Sequence, residues 1–287
     1  MPECFFVSDL HGSVQRYHKL FDAVRAEPPA ALFLGGDLLP GGTLLGTAPD
    51  PRHQDFVNDF LVAELRALRR DLGSLYPRIF VILGNDDPRF EEASLLDAAS
   101  RGVWQYLHDR RSTFAGYPVF GYSCIPPSPF SLKDWERYDV SRFVDPGCSS
   151  PEEGMRTVPV SRQDARYGTI ASDLDSLTRD RDVSRAIFMF HTPPYRTKLD
   201  RAALDGRMVD HAPLDVHIGS IAVRRWIEQR QPLVTLHGHV HESARITGAW
   251  HDRLGRTIAL SAAHDGPELA LVRFSPSDPT EATRELL

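Results

Sequence analysis

Cysteine is scarce in this chain of 287 residues, which contains only Cys4, Cys124 and Cys148. An odd number of cysteines without metal-like spacing disfavours both a disulfide framework and a thiolate metal site. The pattern is typical of reduced thiols, so we expect a cytoplasmic protein.

Long apolar runs are also missing, since none approaches the ~20 residues that a membrane-spanning helix needs. The N-terminus, Met1 to Cys4, passes directly into strand-like residues and lacks the basic and apolar regions of a signal peptide. The formal net charge of −6 provides no basic excess, which disfavours nucleic acid and anionic membranes as partners. Nothing in the sequence indicates an oligomeric state.

Repeats, low-complexity tracts and linkers are absent, so we predict a single domain over residues 1–275 followed by a polar C-terminal tail over 276–287. Strand-like apolar runs alternate with helical patterns, and residues 112–130 have the composition of antiparallel strands. This order predicts an α/β fold with mixed sheets. The long loop around residues 118–160 is expected to shape a pocket.

The chain does contain a set of metal-capable side chains, each at the end of an apolar run. The runs are "CFFVSDLH", "ALFLGGD", "RIFVILGND", "AIFMFH" and "LVTLHGHVH", and they supply Asp9 and His11, Asp37, Asn85, His191, and His239 and His241. Ligands of open α/β sheets bind just outside the carboxyl ends of the strands, so we expect these side chains to converge.

The donor set indicates the kind of site. Asp9 and His11 are two residues apart, as are His239 and His241, so each pair can project to one side. Oxygen and imidazole donors without thiolate suit Mn²⁺, Fe, Zn²⁺ or Co²⁺ better than a structural zinc site. Seven donors exceed the needs of one small cation, and with Asp37 bridging they divide between two metal ions. Two divalent cations, two carboxylates and one bridging hydroxide leave about one net positive charge, which favours phosphate.

The same residues carry a family resemblance. The motifs D-L-H at 9–11, G-D at 36–37, G-N at 84–85, H-T-P-P at 191–194 and G-H-V-H at 238–241 resemble, in the same order, those of the calcineurin-like metallophosphoesterases. The resemblance implies a four-layer α/β/β/α sandwich with two mixed β-sheets. It also implies two metal sites: Asp9, His11 and His241 bind one ion, Asn85, His191 and His239 bind the other, and Asp37 bridges them.

Each motif has a simpler interpretation when it is taken alone, since Asp9 could belong to a helix cap and Gly36-Asp37 to a turn. Five motifs in order argue against that interpretation. The glycines of "GGDLLPGG" are better explained by turns than by a phosphate-binding loop, because no Lys-Ser/Thr follows them.

Three other histidines need a separate interpretation. His237 is expected on the side opposite the ligands, either in the core or in contact with the ligands as a supporting residue. His217 and Ser220 precede a predicted helix, whose N-terminus could hold a substrate phosphate or simply be capped. His264 also ends a strand, and the same two interpretations apply to it.

The chain departs from the family at two positions. The family usually has a histidine after the asparagine of G-N, where it contacts phosphate and protonates the leaving group; here that residue is Asp86. The last acid of the family's Gly-Asp-x-x-Asp motif, which pairs with that histidine, is replaced by Pro40. Asp86 could itself be the acid, His217 or water could replace it, or a good leaving group could need no acid. Asp87 is expected to hold the ligands in position without binding a metal ion itself.

These observations predict a metal-dependent phosphoesterase, more specifically a phosphodiesterase for a small-molecule or nucleotide substrate, in which a metal-bridged hydroxide attacks phosphorus. Two Mn²⁺ ions are the expected cofactors, with Fe, Zn²⁺ or Co²⁺ as alternatives, and Asp86 and His217 are the candidate catalytic residues. Two other functions stay open. A nuclease would need a basic groove and stacking aromatics, and a non-catalytic scaffold would keep the metals but bind a partner.

Overall fold

Two six-stranded sheets dominate the computed structural model, which describes residues 3–41 and 55–287. The strands of the first sheet are β1 (Cys4–Val7), β2 (Ala31–Gly35), β3 (Arg78–Ile82), β4 (Gln105–Tyr106), β13 (Ala270–Ser275) and β14 (Asp278–Leu286). They lie in the order β14-β13-β1-β2-β3-β4. Because β1 to β4 are parallel, the carboxyl ends of β1, β2 and β3 meet at one end of the sheet.

The second sheet has the order β11-β12-β10-β7-β6-β5, where the labels denote β5 (Arg110–Phe114), β6 (Tyr117–Tyr122), β7 (Ile187–Phe190), β10 (Val234–His237), β11 (His251–Leu254) and β12 (Thr257–Ser261). Its four central strands are parallel and its two edge strands are antiparallel. A small hairpin, β8 (Met208–Val209) and β9 (Ala212–Pro213), lies outside both sheets. The predicted mixed sheets are therefore confirmed.

Helices cover the outer faces of the sheets. They are α1 (Val14–Ala26), α2 (Ala63–Leu72), α3 (Glu92–Ser100), α4 (Arg162–Tyr167), α5 (Ile170–Thr178), α6 (Ile221–Arg230) and α7 (Ser243–Thr247). A π-helical segment, Phe56–Val62, leads into α2. The side chain of Ser13 caps α1 by accepting a hydrogen bond from the backbone N–H of Arg16.

Alternating side chains of the strands build two layers of core. Those facing between the sheets form one buried cluster that includes Phe6, Phe33, Phe80, Val119, Met189 and Leu236. Those facing outward pack with the helices, as Phe188 does with Trp226 of α6, at 4.7 Å between ring centroids. A period of two along each strand produces this division, and the result is the expected α/β/β/α sandwich.

The polar C-terminal end differs from the prediction of a tail over 276–287. Residues Asp278–Leu286 form strand β14, which pairs with β13 at the edge of the first sheet. The prediction relied on polarity, but an edge strand with one solvent-facing side needs few apolar residues. The backbone hydrogen bonds to β13 hold this segment in the sheet.

A long segment over residues 123–161 separates β6 from α4 and contains no helix or longer strand among these described residues. It is nevertheless anchored, since Lys133 and Glu136 form an ion pair with both side chains fully buried. Trp135 is also fully buried. The expectation that this region shapes a pocket stays a prediction. Across the described ranges, every helix is too short or too polar to cross a membrane.

Candidate metal centre

The seven predicted ligands lie in loops at the carboxyl ends of strands from both sheets. Asp9 and His11 follow β1, Asp37 follows β2 and Asn85 follows β3. His191 follows β7, and His239 and His241 follow β10 of the second sheet. The two sheets therefore contribute ligands to one place, as the convergence argument requires.

One group of donors comprises Asp9, His11, Asp37 and His241, whose ligand atoms lie within 4.8 Å of one another. Within it, the Nε2 atoms of His11 and His241 are 3.2 Å apart, and His241 Nε2 is 3.2 Å from Asp9 Oδ1. Two imidazole nitrogens and a carboxylate oxygen pointing at one another are arranged as cation ligands.

A second group comprises Asp37, His191 and His239, again within 4.8 Å. Asn85 joins it, because its Oδ1 is 3.0 Å from His191 Nε2, which is 3.2 Å from Asp37 Oδ2. The other ring nitrogen of His191, Nδ1, is 3.0 Å from the carbonyl oxygen of Gly35. Donation to that carbonyl leaves Nε2 as the nitrogen that faces the other donors.

The backbone at four of the predicted ligands adopts the left-handed conformation. The φ angles are +58° at Asp9, +46° at His11, +52° at Asp37 and +74° at His239. Hydrogen bonds hold the first two turns together: Asp9 N–H donates to Gly36 O at 2.9 Å, and His11 N–H donates to Asp37 O at 2.8 Å. The loops after β1 and β2 are thus one hydrogen-bonded unit.

Charges in the centre shift several pKa values. Burial raises the pKa of Asp9, but nearby imidazoles, led by His241, outweigh burial and hold it below its usual range. Burial alone would lower the pKa of His191, but Asp37 raises it to about 10. Burial also acts to lower the pKa of His241, but Asp9 outweighs it and raises this pKa to about 9. Burial, reinforced by the charge of His191, lowers the pKa of His239 to about 3. His191 and His241 carry protons that they must release before they can bind a metal ion, so metal binding at this site is coupled to proton release.

The two acids after Asn85 have different surroundings. Asp87 is buried and accepts hydrogen bonds from the backbone N–H groups of Leu38, Leu39 and Gly84, which tie the loop after β2 to the loop after β3. Asp86 is partly exposed, and burial followed by the charge of Asp37 raises its pKa to about 6. Asp87 therefore contacts the backbone beside the ligands, as expected.

His217 and Ser220 lie outside both donor groups. His217 Nδ1 is 2.9 Å from Asp200 Oδ1, and the Ser220 side chain caps α6 by accepting from Val223 N–H. The carboxylate of Asp139 accepts from the N–H groups of Ile221 and Ala222 at the same helix end. A protein carboxylate thus fills the place where a substrate phosphate was considered, which favours the capping interpretation of Ser220.

The other two histidines also have protein partners. His237 is fully buried, with Nδ1 at 2.9 Å from Thr192 O and Nε2 at 2.8 Å from Thr235 Oγ1, which confirms that it is a core residue. His264 Nε2 is 2.9 Å from Glu268 Oε2. Neither histidine belongs to the donor groups.

Arg16 is a contact residue of the centre that the sequence did not reveal. Its NH1 donates to Asp9 O at 2.7 Å and its NH2 donates to Gly266 O at 2.5 Å, which joins the left-handed turn at Asp9 to a loop before β13. Helical spacing places Arg16 on α1 but does not show what its side chain reaches. Ser8, which donates to Asp9 Oδ2 at 2.5 Å, is a second example.

The residues present fit a pair of divalent ions. Asp37 belongs to both donor groups, the donors are carboxylate, amide and imidazole without thiolate, and the imidazole Nε2 atoms of His11, His191 and His241 point at other donors. Such a mixture binds Mn²⁺, Fe, Zn²⁺ or Co²⁺.

Comparisons with known proteins identify the family and support the fold. The family model described as calcineurin-like phosphoesterase matches residues 4–243. Among solved structures, TT1561 of Thermus thermophilus is similar at 17% identity and a TM-score of 0.57, with 99% of this chain and 98% of that chain covered. A dimetal phosphatase from Danio rerio is similar at 14% identity and a TM-score of 0.52, with 95% and 92% covered.

At these identities the structural likeness shows the fold alone, and no curated protein matches the chain. The family match, in contrast, spans most of the chain and includes all five motifs. The chain therefore belongs to the calcineurin-like phosphoesterases and is a metal-dependent phosphoester hydrolase.

Proposed function

We propose that the protein is a phosphodiesterase with a dinuclear metal centre that acts on a small-molecule or nucleotide substrate. The observation that carries the proposal is the sharing of Asp37 between two adjacent groups of metal-capable side chains. A single shared carboxylate places two cations close together, which is the arrangement of two-metal phosphoester hydrolysis.

The proposed ligands follow the two donor groups. Asp9, His11 and His241 hold one ion, Asn85, His191 and His239 hold the other, and Asp37 holds both. Mn²⁺ is the proposed metal, and Fe, Zn²⁺ and Co²⁺ suit the same donors. When bound, the two ions supply an activated water as nucleophile and offset the negative charge of the phosphate.

The protein's own charges favour a diester over a monoester. A diester carries one negative charge on its phosphate, whereas a monoester carries up to two near neutral pH. The Asp86 carboxylate lies beside the centre, 3.5 Å from His11 Nδ1. It therefore repels a dianionic monoester more strongly than a monoanionic diester.

Two further parts of the proposal concern the setting. Cys124 and Cys148 are free thiols, which fits a reducing compartment and thus a cytoplasmic enzyme. The net charge of −6 disfavours a nuclease. A small phosphodiester, in place of a nucleic acid, is the substrate that agrees with this net charge.

The experiment compares hydrolysis of an aryl phosphodiester and the matching phosphomonoester by the purified protein with Mn²⁺. We expect the diester to be preferred, and Asp37→Asn to lower kcat on the order of 10³-fold because both ions lose a ligand. Asp265→Asn is the matched control, since Asp265 is ion-paired with Arg245 and belongs to neither donor group. Two bound metal ions without diester hydrolysis would defeat the proposal.

A further inference from the structure

We propose that Asp86 is a positioning residue that orients ligands of both metal ions, and that the enzyme therefore acts on phosphodiesters whose leaving group departs without a proton from Asp86. This inference rests on the proposed function and adds to it a role for one residue and a substrate class. It concerns Asp86, the residue that follows the proposed ligand Asn85.

The first contact of Asp86 is with His11. The Nε2 atom of His11 faces His241 Nε2 at 3.2 Å, inside one donor group. The other ring nitrogen, Nδ1, faces Asp86 Oδ2 at 3.5 Å. A carboxylate next to Nδ1 favours the tautomer with its proton on Nδ1, and this tautomer leaves Nε2 free to bind a metal ion.

The second contact is with Asn85. Its Nδ2 donates to Asp86 Oδ1 at 2.8 Å, while its Oδ1 lies 3.0 Å from His191 Nε2 in the other donor group. An amide can bind a metal ion only through its oxygen, so its orientation matters. The hydrogen bond to Asp86 selects the amide orientation in which Asn85 Oδ1 faces His191 Nε2 and the other metal-ligand atoms of the second group.

The third contact uses the backbone. The N–H of Asp86 donates to Asp37 Oδ1 at 2.8 Å, so Asp86 touches the shared carboxylate as well. One residue thus contacts a ligand of the first group, a ligand of the second group and the ligand they share. Asp86 itself belongs to neither group.

A carboxylate suits both side-chain contacts, because each of its two oxygens can face one of them. Asp86 Oδ1 accepts a hydrogen bond from Asn85 Nδ2, and Asp86 Oδ2 lies 3.5 Å from His11 Nδ1 as its ion-pair partner. A neutral imidazole has one acceptor nitrogen, and a side-chain amide has one acceptor oxygen and a donor nitrogen. The aspartate is therefore a chemical type that suits these two neighbours.

This role has a consequence for the substrate. Both oxygens of Asp86 are directed at protein donors, so the residue does not deliver a proton to the departing oxygen. In the reaction, water supplies OH to phosphorus and its remaining proton goes to solvent, while the P–O bond breaks and the leaving oxygen keeps the electron pair. Leaving groups that are stable as anions, such as phenols, are the class that tolerates this.

The test uses Asp86→Asn, with Asp265→Asn as the control that removes one charge elsewhere. Titration calorimetry with Mn²⁺ alone should show a roughly 10–100-fold weaker affinity for Asp86→Asn, as is typical when a residue supporting a ligand is lost. At saturating Mn²⁺, kcat/KM is then measured for aryl phosphodiesters that differ in leaving-group pKa. We expect Asp86→Asn and the wild type to show the same slope of log(kcat/KM) against that pKa.

Two results would overturn the inference. A steeper slope in Asp86→Asn with unchanged Mn²⁺ affinity would identify Asp86 as the proton donor. An unchanged affinity with an unchanged slope would show that Asp86 orients nothing. Asp86→Ser, which lacks both carboxylate oxygens, repeats the affinity measurement if Asp86→Asn fails to fold. If the wild type hydrolyses no diester, the proposed function fails, whereas the Mn²⁺ affinity still tests the positioning role.

Discussion

At the scale of single residues, four of the seven proposed metal ligands have backbone conformations that most side chains avoid. Asp9, His11, Asp37 and His239 have positive φ angles, and the left-handed region costs roughly 1–2 kcal/mol for each non-glycine residue. Aspartate and histidine are among the types that tolerate this region best. The hydrogen bonds of Asp9 N–H and His11 N–H to the loop after β2, with Arg16 on the carbonyl of Asp9, hold the turns in place. Strain of this kind is typical of functional sites.

Gly84 gives a prediction at this scale. A Cβ at Gly84 would overlap Asp37 Oδ1 and lie 2.6 Å from both the backbone N of Asp37 and His191 Cε1, so the Gly84→Ala methyl group must displace two proposed ligands and the backbone at one of them. We expect the variant to fold but to bind Mn²⁺ at least ~10-fold more weakly in titration calorimetry. Gly206→Ala is a control for the added methyl group alone: nothing lies within 4 Å of it, and the strain that an alanine meets at the φ of +69° falls outside both donor groups. Equal Mn²⁺ affinity in the two variants would contradict the prediction.

At the scale of elements, the segment over residues 123–161 contacts the loop that carries Asn85. The indole N–H of Trp135 donates to Asp87 O at 2.7 Å, and Asp134 Oδ2 accepts from Arg89 N–H at 2.8 Å. Asp139 of the same segment covers the N-terminus of α6. A segment without regular secondary structure is thus held by side-chain hydrogen bonds to the loop after β3 and to the N-terminus of α6.

The buried ion pair of this segment gives the second prediction. Lys133 Nζ is 2.7 Å from Glu136 Oε2, with both side chains fully buried, and Glu136 also accepts from Ser128. Lys133→Met leaves the carboxylate buried without its partner, which we expect to cost about 3–5 kcal/mol in the free energy of unfolding. The double variant Lys133→Met/Glu136→Leu should recover part of that loss. Urea unfolding of the wild type, the single variant and the double variant measures both effects, and a double variant less stable than the single one would contradict them.

The sequence predicted most elements but misjudged some of their ends. The apolar runs before Asp9, Asp37 and His191 are β1, β2 and β7, because a buried parallel strand is continuously apolar and easily recognised. The polar segment Asp278–Leu286 was missed as a strand, because its stability comes from backbone pairing with β13. Residues 162–180 have the pattern of one helix, whereas the structure has two, α4 and α5, which are separated at Gly168 and Thr169.

At the scale of the whole molecule, the metal centre joins the two sheets. Asp9, Asp37 and Asn85 follow strands of the first sheet, and His191 and His239 follow strands of the second. Metal ions bound there are held by both halves of the sandwich. Binding therefore stabilises the native state as a whole, by about 2.7 kcal/mol at a free metal concentration roughly 100 times the Kd.

The pH dependence of metal binding gives the third prediction. In the metal-free protein the pKa values of His191 and His241 are raised to about 10 and about 9, so both imidazoles are protonated at pH 7. A metal ion binds only the neutral imidazole, so saturation should release about two protons, and affinity should rise with pH until these pKa values are passed. Calorimetric titrations with Mn²⁺ in two buffers of different ionisation enthalpy measure the number released. Binding without proton release would contradict the charge balance of the centre.

The sequence by itself determined the family and predicted the seven proposed ligands, because each of these side chains follows an apolar run that local periodicity reveals. Only the tertiary structure decided what surrounds them: Arg16 at the carbonyl of Asp9, Asp139 at the end of α6, and Asp86 between His11 and Asn85. Those contacts join residues from loops of different elements, and their distances depend on how strands and helices pack. A linear pattern shows where a strand ends, but it does not show which side chain from another loop meets that end.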